Sequence, residues 1–280
     1  MLLIPLLILG GLVCGSILAL LVEAVPDNGG GGHRPDSCRA CDGELSKSGL
    51  SPLQTTASAC PHCGESVSAA RLPVVLTTAI VFPIIGLVIG PKWQLGPVLF
   101  LAASLIALSA VDFIRFRLPD KLVFPSLYIA IAMLGLASVL TGSTDHLIRG
   151  LIAMLAYSAL LLIPNLIMPT GLAFGDVKLG LLLGLFIGWV AESGIDAARL
   201  AVWAYLLGMI LGIVTGLAVG VGRRVFGSQF MPDPDYPIEE GEELAPLLKT
   251  QMPFGPALGA AALAVVLFSG QFLQGASILA

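Results

Sequence analysis

The sequence predicts an all-α, polytopic membrane bundle of about eight transmembrane helices with a small cytoplasmic zinc-binding insert. Three observations predict it. Hydrophobic residues make up 56% of the 280-residue chain and charged residues only 11%, against roughly 25% charged in an ordinary soluble domain. Mean hydropathy is +0.95. Apolar runs near the roughly 20 residues that a helix needs to cross hydrocarbon recur between short polar breaks. So little polar surface cannot coat a water-soluble globule. The net charge of −4, with no dominant basic patch, excludes nucleic acid as a partner.

The spans follow in order. The first is 2–22, which lacks the basic start and small-residue cleavage site of a signal peptide. Runs 74–90 and 95–111 are split by Gly90, Pro91 and Lys92 and interrupted by Pro83 and Pro97. Runs 122–140 and 147–168 are split by Gly142, Ser143, Thr144 and Asp145. Then come 177–190, 199–222 and 254–279. Eight alternating spans put Arg34, Arg39, Lys47, Arg71, Arg115, Arg117, Lys121, Lys178, Arg223, Arg224 and Lys249 on one side. Only Lys92, Arg149 and Arg199 fall on the other. The positive-inside bias makes the first side cytoplasmic and puts both termini opposite.

Three regions result: a first transmembrane helix over 1–26, a cytoplasmic insert over 27–72, and a membrane bundle over 73–280. The bundle carries a cytoplasmic loop, 223–252, rich in proline and acid from Pro232 to Glu243. That composition predicts a segment without a packed core.

The insert holds two C-x-x-C pairs, Cys38 with Cys41 and Cys60 with Cys63, separated by 18 residues. This spacing fits a closed four-thiolate zinc site, with Zn–S near 2.3 Å and no open position for water. Such a metal is structural and folds a segment that has almost no apolar core. A reducing cytoplasm disfavours disulfides; free or redox-active thiols are the alternative. His62 lies inside the second pair as a spare ligand, and Cys14 sits in the first span as packing.

Acid residues beside membrane spans carry the most information. Asp112 ends the third span and Asp176 opens the sixth, so alternation puts both near the cytoplasmic face. Two carboxylates there can share a proton, one acting as general base on water and the other as general acid. Each can equally cap a helix or sit in the headgroup layer, and spacing alone does not choose. Asp120, before the fourth span, reads as an N-cap. Asp145, Glu192 and Asp196 read as solvated charges on the outer side.

Five stretches taken together resemble the type IV prepilin peptidases, membrane aspartyl peptidases of the G-x-G-D type. They are Gly11, Gly15 and Ser16 in G-L-V-C-G-S-I-L ahead of Pro26; the paired cysteines followed by Arg71 and Pro73; Asp112 opening D-F-I-R-F-R-L-P-D; Gly175, Asp176 and Lys178 in A-F-G-D-V-K-L; and Phe254, Gly255 and Pro256 in P-F-G-P. They run in the family's order over nearly the whole chain. The resemblance implies that Asp112 and Asp176 are the catalytic pair. Gly175 would let backbone come close beside Asp176. Lys178 would bias the pair's charge or hold a substrate carbonyl, with a snorkel toward headgroups as the alternative. The implied reaction removes the basic leader of prepilins or pseudopilins at the cytoplasmic face of the bacterial inner membrane. In many members the new N-terminus is then methylated with S-adenosylmethionine.

Four departures bear on this. Ala173 replaces the first glycine of G-x-G-D, and Glu23 precedes Pro26 where the family carries R-L-P. Leu72 and Leu76 stand where R-Y-P-x-x-E has Tyr and Glu, and the acidic loop is long. The second and third fall in regions associated with methyl transfer, so peptidase activity is the firmer expectation. A different class of function is a non-enzymatic docking protein of a pilus or secretion system, using the zinc insert to bind its partner.

Overall fold

A computed structural model describes residues 3–24, 62–63, 71–115, 118–142, 144–167, 174–226 and 254–277. Cys38, Cys41, Cys60 and most of the acidic loop lie outside them. The described residues are helical: α1 (Leu3–Ala24), α2 (Arg71–Ile89), α3 (Leu95–Arg115), α4 (Asp120–Thr141), α5 (Asp145–Ile167), α6 (Phe174–Val190), α7 (Gly194–Phe226), α8 (Gly255–Leu267) and α9 (Ser269–Ser277). The chain divides into two compact units, Met1–Ala110 and Val111–Ala280.

Six of the described helices are long and apolar enough to cross a membrane: α1 to α5 and α7. The sequence led us to expect about eight. The two remaining runs fold as shorter helices. The 17 residues of α6 rise about 25 Å and the 13 of α8 about 20 Å, against about 30 Å of hydrocarbon. The run 254–279 is broken at Phe268, a non-helical C-cap whose N–H bonds to Ala264 O. Ser269 and Gly270 follow it, and both weaken helix continuation. Hydropathy averages across such a break and does not register it.

In the first unit α1 packs on α2 through bare backbone. A Cβ at Gly11 would fall 2.8 Å from Thr78 O, and one at Gly15 would fall 2.8 Å from Val75 Cα. Neither position tolerates a side chain at this separation. The hydroxyls buried nearby are satisfied locally: Ser16 Oγ donates to Leu12 O at 2.8 Å and Thr78 Oγ1 to Val74 O at 2.7 Å. Leu7, Phe82 and Ala103 join α1, α2 and the start of α3 in one apolar cluster.

In the second unit α6 is the central element, packed against α4, α5, α7 and α8. Twelve of its 17 residues are buried, so protein rather than lipid surrounds it and a full span's length is not required. Gly180, Gly184 and Gly188 recur every fourth residue and face α5. Their Cβ positions would meet Leu161 and Ser158, then Ala153, Tyr157 and Met154, then Ala153 and Arg149. Gly150 of α5 reciprocates: a Cβ there would fall 2.9 Å from Leu185 O. This is the small-residue packing by which helices associate in lipid, where apolar burial supplies no driving force. Ser158 Oγ adds a cross-helix bond to Val177 O at 2.8 Å. At the far end of α4, Gly142 takes φ +67° and ends the helix with a left-handed turn.

Gly184→Leu should therefore wedge α5 from α6 and destabilise the protein by on the order of 1–3 kcal/mol. The measurement is thermal unfolding in detergent. Gly135→Ala, at a position with open space, is the control and should leave the midpoint unchanged or slightly raised.

Candidate active site

Asp112 and Asp176 are the two acidic side chains buried among the described residues, at 5% and 3% exposure. Those values decide against a position in the headgroup layer for either one. Asp112 lies one turn before the end of α3, and Asp176 is the third residue of α6. Both belong to the second unit. A carboxylate withdrawn from water costs several kcal/mol unless it is hydrogen-bonded, paired or protonated. Asp112 meets part of that cost through the backbone N–H of Gly255, which donates to Asp112 Oδ2 at 3.1 Å.

The connection from α3 to α4 brings the two carboxylates into one neighbourhood. Leu118, beside Pro119 in that connection, is the shared contact. A Cβ on Gly175, the residue before Asp176, would fall 2.9 Å from Leu118 Cβ and 3.6 Å from its Cδ1. A Cβ on Gly255 would fall 3.5 Å from the same Cδ1 and 2.9 Å from Asp112 Oδ2. One leucine side chain thus touches the backbone beside Asp176 and the backbone that binds Asp112. Glycine at 175 and 255 is what lets the chain come so near, since either Cβ would displace it.

Lys178 lies beside this neighbourhood and faces another partner. Its Nζ pairs with Asp120 Oδ1 at 2.5 Å and sits 5.2 Å from the Phe174 ring centroid and 5.9 Å from that of Phe124. The bond fixes the lysine across the starts of α4 and α6. Asp120, expected as an N-cap, is instead the first helical residue. Pro119 occupies the N-cap in extended conformation, with no side-chain capping bond. The Asp120 carboxylate is therefore released from capping, and it still sits favourably in the first turn of the helix dipole.

The four-cysteine expectation falls largely outside the described residues. Cys63 is described and exposed. No group of three or more His, Cys, Asp or Glu that could hold a metal ion occurs among the described residues. Sequence reasoning missed two participants, the Gly255 N–H and Leu118. The P-F-G-P motif signalled the first without saying what it does. Leu118 gave no signal, being one apolar residue inside the D-x₆-P-D stretch.

Residues 99–221 match the type IV leader peptidase family. That match spans a little under half of the chain. It is similar to the prepilin leader peptidase/N-methyltransferase of Burkholderia pseudomallei, with 25% identity over 94% of this chain and 84% of that protein. The similarly named protein of Pseudomonas aeruginosa is 26% identical over 74% of this chain and 79% of its own length. That of Myxococcus xanthus is 27% identical over 81% and 68%. No solved structure matches. The matched segment contains both buried aspartates, and Gly255 lies beyond it.

The Asp120–Lys178 pair is partly exposed, at 55% and 23%, and is of modest worth. A double-mutant cycle with Asp120→Ala and Lys178→Ala should give a coupling of about 0.5 kcal/mol, read from unfolding midpoints. The coupling should fall as salt is raised.

Proposed function

We propose that this protein is an intramembrane aspartyl endopeptidase that removes the basic leader from type IV prepilins or pseudopilins. The observation that carries the reading is the burial of Asp112 and Asp176 in one unit, around Leu118 and the Gly255 N–H. The family match over residues 99–221 and the names of the relatives support it. In this reading the carboxylates hold one water against the scissile carbonyl. One takes the proton from the attacking water, and the other delivers a proton to the amine that leaves. Peptide hydrolysis needs both protonation roles at once, and two neighbouring carboxyls that cannot both ionise supply them. A purely docking protein has no use for two acids kept dry at a cost of several kcal/mol each.

The substrate's apolar helix lies in the bilayer with its basic leader at the end of the bundle where Asp112 and Asp176 sit. By the distribution of Lys and Arg, that end is cytoplasmic. Methyl transfer from S-adenosylmethionine is not part of the reading, because Glu23, Leu72 and Leu76 depart from the stretches tied to it. The four cysteines Cys38, Cys41, Cys60 and Cys63 bind one structural zinc on the strength of their spacing.

Asp112→Asn and Asp176→Asn should each lower leader removal by on the order of 10³-fold while the protein stays folded in the membrane. A gel-shift assay of a purified prepilin measures this, and cleavage surviving either change would sink the assignment. Metal analysis of the purified protein should return about one zinc per chain. Cys38→Ser or Cys60→Ser should abolish it, and a metal-free preparation that is fully active and equally stable would overturn the zinc site.

A further inference from the structure

The start of α8 is fixed by an unusual seat on α7. A Cβ at Gly212 would overlap the ring of Phe254, so the ring lies directly on bare α7 backbone. One turn away the pattern repeats. A Cβ at Gly208 would fall 2.7 Å from Leu258 Cδ2. Phe254 and Leu258 are thus i and i+4 knobs on α8, and Gly212 and Gly208 are the matching gaps on α7. Residues four apart on a helix lie on one face, which makes the match continuous.

Phe254 is also the N-cap of α8. Its carbonyl accepts the N–H groups of Ala257 at 3.1 Å and Leu258 at 3.2 Å. Pro256 has no N–H to give. The Gly255 N–H is accordingly the one at the head of the helix that turns outward, and it donates to Asp112 Oδ2. The Gly255 N–H shares one planar peptide unit with the Phe254 carbonyl, so the bonds from Ala257 and Leu258 that hold the carbonyl also hold the N–H, while the ring on Gly212 anchors the same residue to α7.

We propose that Gly212 and Phe254 are positioning residues for Asp112: the ring seated on Gly212 aims the Gly255 N–H at Oδ2 and so sets the orientation of the carboxylate. The proposal rests on the peptidase reading for its catalytic meaning, but the hydrogen bond can be tested without it. Neither residue touches the reacting atoms. Their effect passes through one backbone donor, and small misplacements of a catalytic group cost up to about 10²-fold in rate.

The test uses the full chain in detergent or nanodiscs, labelled with carbonyl-¹³C phenylalanine and ¹⁵N glycine. Three Phe–Gly peptides occur in the sequence, at Phe174, Phe226 and Phe254, so three amide signals are expected. Phe254→Leu removes one and thereby assigns Gly255. Asp112→Asn should move the Gly255 amide proton upfield, since a charge-assisted bond is lost. Gly212→Ala should move it the same way, and Gly208→Ala should leave it in place. With a purified prepilin as substrate, Gly212→Ala should lower kcat by about tenfold or more at little change in KM, while Gly208→Ala stays within about threefold of the parent. Adding Phe254→Leu to Gly212→Ala makes room for the methyl and should recover part of the lost kcat. A Gly255 signal indifferent to Asp112→Asn overturns the proposal. So does equal behaviour of the two glycine variants, or a double variant no faster than Gly212→Ala alone. Failure of the parent protein to cleave would strike the peptidase reading and leave the amide result standing.

Discussion

Contact between bare backbones is the constraint on which the second unit depends. Inside a bilayer, lipid is as apolar as leucine, so helices gain little by hiding side chains from it and must associate by close contact and hydrogen bonds. Gly180, Gly184 and Gly188 bring α6 onto α5. Gly208 and Gly212 bring α8 onto α7. With α6 enclosed by four neighbours, Asp176 is carried out of water in its first turn, while Phe174 at the helix start stays exposed. The burial of the acid is a by-product of a glycine stripe nine residues long, Gly180 to Gly188. It does not require a dedicated apolar pocket.

The two acids are placed by different means. Asp176 is rigid because its helix is rigid: Ser158 ties the carbonyl of the next residue to α5, and Gly175 lets Leu118 close over the helix start. Asp112 lies near the end of α3, just before a change of direction, and a side chain there needs an external anchor. The Gly255 N–H provides one from a residue 143 positions away in sequence. A backbone donor suits this task. It is fixed in direction and it cannot change its protonation state.

Much of this was legible in the sequence. The six long helices were, because a polar break and a run near 20 residues are local features. The motifs around Asp112 and Asp176 also singled out the two acids that turn out to be buried. The lengths of α6 and α8 were not, because an apolar average cannot tell a helix that faces lipid from one buried among helices, and it does not notice the turn at Phe268. The spacing of Gly180, Gly184 and Gly188 was visible as letters, but which helix each glycine would meet was not. The pairing of Lys178 with Asp120 was hidden for a related reason: it joins residues 58 apart, and nothing local in either segment points to the other. The Gly255 donor was the least legible of all, since every residue but proline has the same N–H and only the fold aims it.

The bond between Lys178 and Asp120 joins the starts of α4 and α6. The two helices therefore enter the bundle from the same end and run in the same direction. Whichever compartment bathes Asp120, more than half exposed, is also the compartment nearest to the buried acid two residues before Lys178. That reservoir is the nearest source of the water and exchangeable protons for Asp176, so the pH of that side is the one this acid would sense first.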